Sequence, residues 1–347
     1  QSKQDANDQL SHFNNLTDEQ KAHFKPLIDN AQTRGEVDKQ IALAKQLNDD
    51  MGTVKGQISY KDKVHQSSDY INADPAKKEA FDNAIKEAED LLHNNPGILD
   101  HNTLQNIINK IEEAQNALNG QAKFDQAQKE ALKELGHLNS LNAPQRETVK
   151  TNINQATTLD GLGQELQKAK DLNNAMKAMR DSIANQEQVR QGSNYTNEDH
   201  TQQQAYDDAV NNINRIITES NATMDPQAIN QATQTLNSAK QGLHGDQKLQ
   251  DDKNNAKQEI DNLTGLTNAQ KQTLNDAINQ LTNRPDVKRK LSEAKYLNGK
   301  MEELKAIVAK APSVRQNSNY INEDPAEKEA YDNAINKGQK VIDAANN

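Results

Sequence analysis

Eight histidines (His12, His23, His65, His93, His101, His137, His200 and His244) are the side chains best suited to ligate a metal or move a proton near neutral pH. Their spacing argues against both roles. No pair has the HExxH arrangement that sets two imidazoles one turn apart on a helix. Only His12 and His137 share a place in the repeat described below, and the third copy has Asn262 there. A group that served every repeat should recur in each, so surface or capping roles are expected. Carboxylates are abundant, but they sit beside lysines on polar faces and make no assignable acid–base pair. Cysteine is absent, which excludes a thiol nucleophile, a disulfide framework and Cys-based zinc sites. Neither GxxxxGK[ST] nor GxSxG occurs, and Gly161-Leu162-Gly163 has no strand before it to build a dinucleotide loop. The sequence thus assigns no catalytic residue, cofactor or metal site, and predicts no enzyme.

Tyrosine is the recurrent polar aromatic. Ser68-Asp69-Tyr70-Ile71-Asn72-Ala73-Asp74 returns as Ser193-Asn194-Tyr195-Thr196-Asn197-Glu198-Asp199 and as Ser318-Asn319-Tyr320-Ile321-Asn322-Glu323-Asp324. The period is about 125 residues both times. Ala80-Phe81-Asp82, Ala205-Tyr206-Asp207 and Ala330-Tyr331-Asp332 follow in step. Tyr70, Tyr195 and Tyr320 are therefore the candidates for ligand contact, because a phenol offers apolar area and a hydroxyl together. The competing and favoured expectation is structural. In it the ring plugs one end of a bundle, while Asn72, Asn197, Asn322 and the aspartate after each cap the next helix.

The elements that must position these residues are helices. Val37, Ile41, Ala44, Leu47, Met51, Val54 and Ile58 step by threes and fours and trace one narrow apolar stripe. The same stripe recurs from Leu162 to Ile183 and from Val287 to Val308. Gly52 and Gly56 weaken the first copy by about 1 kcal/mol each relative to alanine, yet the helix is expected to run through both. Thr17 with Gln20, Asn142 with Gln145 and Thr267 with Gln270 have capping-box spacing. Asp74-Pro75 and Asp324-Pro325 put a carboxylate at N-cap and proline at N1, and Glu327 completes a box in the last copy. From Pro226 to about Leu263 no breaker is evident, so one helix is expected to close one bundle and open the next. Each repeat then holds two three-helix bundles joined by shared helices: an all-α array of tandem bundles extended into a rod.

Composition fits thin bundles. Hydrophobic residues make up 33%, aromatics 3%, tryptophan is absent and the formal net charge is −10. That apolar fraction disfavours one large core and leaves small units with thin cores, or disorder. The acidic balance disfavours nucleic acid and anionic membrane as partners. No apolar run reaches the ~18 residues of a membrane span, and no signal peptide opens the sequence. Both ends fall within the repeat, which suggests a fragment whose last bundle lacks its third helix and frays or dimerises. Disorder competes with this reading, but capped, periodic helices argue against it.

The period, the Ser-x-Tyr-x-Asn-x-Asp loop and the Ala-[Phe/Tyr]-Asp that follows resemble the giant staphylococcal extracellular matrix-binding protein family. One half-repeat of that family is GA-like and the other FIVAR-like. The resemblance implies GA-like bundles at 1–58, 121–178 and 246–303. It implies FIVAR-like bundles at 59–120 and 179–245, and an incomplete one at 304–347. It further implies an extracellular, cell-wall-associated location, adhesion to fibronectin or another host matrix protein, and a part in cell-envelope integrity. Albumin binding by the GA-like modules is the alternative. A monomeric rod without cofactor is expected.

Overall fold

The computed structural model describes residues 1–344, and every regular element among them is an α-helix. Two compact units are distinguished, Gln1–Asn173 and Asn174–Asn347. The last three residues of the expected 304–347 bundle lie outside the described residues.

In the first unit, α1 (Ser2–Ser11), α2 (Asp18–Asp29) and the first half of α3 (Arg34–His65) form a three-helix bundle. The Thr17–Gln20 capping box starts α2. The second half of α3 packs against α5 (Pro75–Asn94) and α6 (His101–Asn116), with the single-turn α4 (Ser68–Ile71) between α3 and α5. As expected, α3 runs unbroken through Gly52 and Gly56. Val37, Ala44, Leu47, Met51 and Val54 of its stripe are buried, and Ile41 and Ile58 pack at the margin. Ala6, Leu10, Phe24 and Ile28 of the first bundle belong to the same continuous core as Phe81, Ile85, Leu104 and Ile111 of the second. One helix thus gives one stripe to two bundles. The unit continues with α7 (Gly120–His137), α8 (Ala143–Gln155) and the start of α9 (Leu159–Ile183).

The second unit repeats the pattern with α10 (Gln186–Gln191), α11 (Ser193–Thr196), α12 (His200–Thr218) and α13 (Pro226–Gln241). Then come α14 (Gly245–Asp261), α15 (Asn268–Gln280), α16 (Arg284–Ala309), α17 (Ala311–Arg315), α18 (Ser318–Ile321) and α19 (Pro325–Ile342). Here α16 is the shared helix. Its Val287 and Ala294 share a core with α14 and α15, and the same core reaches Leu304 and Ile342. The capping boxes of α8 and α15 form as their spacing predicts. An asparagine on each long helix holds the loop before α2 and its counterparts. The side chains of Asn48, Asn173 and Asn298 accept from the backbone N–H of Asn15, Ser140 and Gly265 at 3.0, 2.9 and 2.7 Å. No helix among the described residues is long and apolar enough to cross a membrane.

The other joint departs from expectation. The helix predicted from Pro226 to Leu263 is broken: α13 ends at Gln241 and α14 starts at Gly245. The first repeat breaks likewise between α6 and α7. The reason is a backbone-to-backbone approach. A Cβ on Gly245 would lie 2.5 Å from Asn194 O and 2.7 Å from Ser193 O, and Gly120 meets Asp69 O at 2.5 Å. The new helix starts against the tyrosine loop, and only glycine permits that closeness. The side chains of Asp69 and Asn194 then accept from the N–H of Gln121 and Asp246, each at 3.1 Å.

Asn72 and Asn197 do not cap the helix that follows them. Asn72 donates to Thr157 O (3.1 Å) and accepts from Leu159 N–H (2.8 Å). Asn197 does the same with Thr282 O (3.1 Å) and Arg284 N–H (3.0 Å). Each amide stitches the tyrosine loop to a loop of the next bundle. Asp74 and Asp324 precede proline at N1 as predicted, but neither carboxylate caps, and the Glu327 box does not form. Asp74 instead binds Lys123 and accepts from Asn119 Nδ2 at 2.7 Å. In the second repeat Lys248 pairs with both Glu198 and Asp199. Burial pushes the Glu198 pKa up, but Lys248 and the amides of Asp199 and His244 outweigh it, leaving the group below its ordinary value.

The glycines separate these two joints experimentally. Nothing lies within 4 Å of a Cβ at Gly56, so Gly56→Ala should stabilise the chain by about 0.5–1 kcal/mol. Gly245→Ala must force backbone apart and should cost about 1–3 kcal/mol. Urea denaturation followed by circular dichroism measures both.

Candidate functional site

The candidate tyrosines share one geometry. Each sits on a single-turn helix, half-buried, five residues after a basic side chain at the end of the preceding helical segment. The Tyr70, Tyr195 and Tyr320 hydroxyls donate to one carboxylate oxygen of Asp82, Asp207 and Asp332, at 2.7, 2.6 and 2.7 Å. The other oxygen accepts from the basic side chain: His65 Nε2 at 2.7 Å, Arg190 Nε at 2.9 Å and Arg315 Nε at 2.9 Å. Ring edges pack on Phe81, Tyr206 and Tyr331 with centroids 6.2, 5.9 and 5.8 Å apart. Each loop is also held from the next helix, where Lys78, Gln203 and Lys328 donate to the carbonyls of Ile71, Tyr195 and Ile321.

These contacts fix the chemistry available. Burial, then the Asp82 and Asp207 hydrogen bonds, push the Tyr70 and Tyr195 phenols up to about 12. Tyr320 is raised first by its bond to Asp332 and then by burial. The phenols are protonated donors at neutral pH, not nucleophiles or bases. Asp332 is held below its ordinary value by Tyr320 and then Arg315. The trio fastens three segments of a bundle to one carboxylate.

The basic member escaped the sequence reading. By residue type His65 is one of eight scattered histidines, yet Arg190 and Arg315 stand at its place in the other copies. Following side chains that can donate an N–H to a carboxylate, and not one residue type, along the period finds it. His101 also has a specific partner: its Nδ1 meets the buried carboxylate of Asp50, which accepts from Gln105 Nε2 at 2.6 Å. The second and third copies have Ala175 and Lys300 in place of Asp50, so this contact belongs to one repeat. His12 Nδ1 lies 2.6 Å from Asp8 O on its own helix. Among the described residues, the grouping whose ligand atoms converge enough for a metal is Glu323, Asp324 and Glu327, all exposed.

Comparison with known proteins follows the same half-repeats. The FIVAR domain description matches residues 50–119, 175–244 and 300–347, and the GA module description matches 1–50, 121–175 and 246–300. Extracellular matrix-binding protein ebh of Staphylococcus aureus strain MRSA252 is 37% identical over the whole chain. Extracellular matrix-binding protein EbhA of strain N315 is 36% identical over the same span. The chain spans only about 3% and 5% of these two relatives' lengths. A crystal structure of an EbhA domain from S. aureus aligns with a TM-score of 0.66 at 27% identity, covering 71% of this chain and 98% of that one.

The tyrosine–carboxylate trio predicts an alkaline limit. A phenol raised from 10 to about 12 on folding contributes stability that is complete below pH 10 and is lost as pH rises towards 12. Tyr195→Phe should cost about 1–2 kcal/mol at pH 7, the low end for a bond to a charged group because the pair is half-exposed. It should also remove the tyrosine-dependent part of the loss between pH 10 and 12. Denaturation midpoints of both proteins across that range measure it.

Proposed function

Since the chain belongs to the family of FIVAR- and GA-module repeat proteins that includes the staphylococcal extracellular matrix-binding proteins, we propose that it is a stretch of a bacterial cell-surface stalk. In this reading the six half-repeats divide near 58, 120, 178, 245 and 303. The stalk serves adhesion to host matrix, with fibronectin as the ligand, and spaces or reinforces the cell envelope. The observation that carries the reading is a match in repeat register from the first residue to the last. Shared helices α3 and α16 support the spacer role, because a continuous helix between bundles resists bending better than a linker.

Matrix contact is weak per module and becomes useful by repetition, because linked sites bind at high effective concentration. Tyr70, Tyr195 and Tyr320 shape the loop each FIVAR-like module presents. The GA-like modules supply the second reading, albumin binding, which rests on their module type alone.

Titrating the chain against immobilised fibronectin and albumin separates the two. The proposal expects saturable fibronectin binding that tightens with repeat number, and none to albumin at about 100 μM. The opposite pattern selects the second reading, and silence towards both leaves the spacer role alone. Small-angle scattering of chains with one, two and three repeats tests that role: the maximum dimension should grow linearly, and a compact particle would sink it.

A further inference from the structure

The groove between the first and third helices of a GA-like bundle differs among the three copies. In the second copy Lys170 on α9 crosses it to Glu134 on α7 at 3.3 Å, and in the third Lys295 on α16 crosses to Glu259 on α14. The first copy keeps the lysine, as Lys45, but has Gln9 in the place of the glutamate. Lys45 turns instead to Asp49 on its own helix, at 2.6 Å. Asn174 and Gly299 stand at the place of Asp49 in the other copies. No bridge therefore crosses between α1 and α3, and a groove of about 660 Å³ lies open there. Half-buried Phe13 and Ile41 and the small Ala42 supply its apolar lining. Asp5 and Asp8, neighbours one turn apart on α1, line it too and make no ion pair among the described residues. The equivalent Glu134 and Lys170 side chains follow a whole FIVAR-like bundle and are still 43% and 41% exposed. A preceding module thus leaves this face uncovered.

We propose that the α1–α3 groove of the first GA-like bundle docks a basic amphipathic helix of a partner protein. Charge complementarity selects that occupant. Asp5 and Asp8 are two free carboxylates, and the one cation at the groove, Lys45, is already neutralised by Asp49. A partner helix with lysine or arginine three or four residues apart meets both carboxylates from one face. Apolar side chains on the same helix settle on Phe13 and Ile41, the helix-in-groove mode of recognition. An acidic helix is repelled by the same rim, which gives the site its selectivity. The site lies away from the tyrosine loops, and it does not depend on the stalk reading or on which matrix ligand the chain takes.

The probe is an amidated, fluorescein-labelled leucine–lysine peptide with helical spacing, about fourteen residues long, the length at which a helix begins to hold in water. Fluorescence anisotropy against the full chain should show saturable binding near 100 μM, roughly what a small interface supports. The Ile41 methyl signal should shift in step with it. Gln9→Glu with Asp49→Asn keeps the net charge and copies the residues that let Lys170 bridge to Glu134 in the second repeat. This pair should close the groove and weaken binding at least about tenfold, as should Asp5→Asn with Asp8→Asn. Circular dichroism confirms that both variants remain folded. No binding to the original chain would overturn the proposal. Binding that survives the charge-neutral pair would overturn it too, because it reports attraction to an acidic chain and not occupation of the groove. Equal binding of a leucine–glutamate peptide would remove the basic partner.

Discussion

A sequence this poor in apolar residues cannot give each three-helix bundle a generous core, and the structure meets that constraint with helices that serve twice. The stripe on α3 packs against α1 and α2 along its first half and against α5 and α6 along its second. The buried residues on both sides form one continuous cluster. α16 repeats the arrangement with α14, α15 and α19. The helix therefore transmits order from one bundle to its neighbour, as nearest-neighbour interfaces do in other linear arrays.

The joint from a FIVAR-like bundle to the next GA-like bundle obeys different physics. Its contacts are polar and backbone-centred: a glycine against carbonyls, an amide stitch across 85 to 87 residues of sequence, a lysine on carboxylates. Such contacts contribute modest net stability but specify register, because each is costly to leave unmade when buried. Alternation of an apolar joint with a polar one divides the work. The first couples neighbours energetically, and the second fixes the register of the two bundles it joins.

What the sequence disclosed follows from range. Caps and stripes are local, and Thr17–Gln20, Asn142–Gln145, Thr267–Gln270 and the stripe of α3 appear where spacing placed them. Residues whose partners are distant were misread. Asn72 beside Asp74-Pro75 has the chemistry of a helix cap, and only its partners at Thr157 and Leu159 reveal a stitch. The break after Gln241 was hidden because Gly242 and Gly245 tolerate a helix at modest cost. Contact with Ser193 and Asn194, not propensity, ends it. The tyrosines were legible by repetition, whereas Arg190 and Arg315 keep the hydrogen bond that His65 makes to the carboxylate but not its residue type, which hides the recurrence.

Coupling through the shared helix is the claim on which the other properties depend. Native-state hydrogen exchange along α16 tests it most directly, because the helix crosses from one bundle to the next near Met301. The account predicts one common opening free energy for the amides on both sides of Met301, moving together as urea is added. Two separate values, with the residues before Met301 opening independently of those after it, would contradict it.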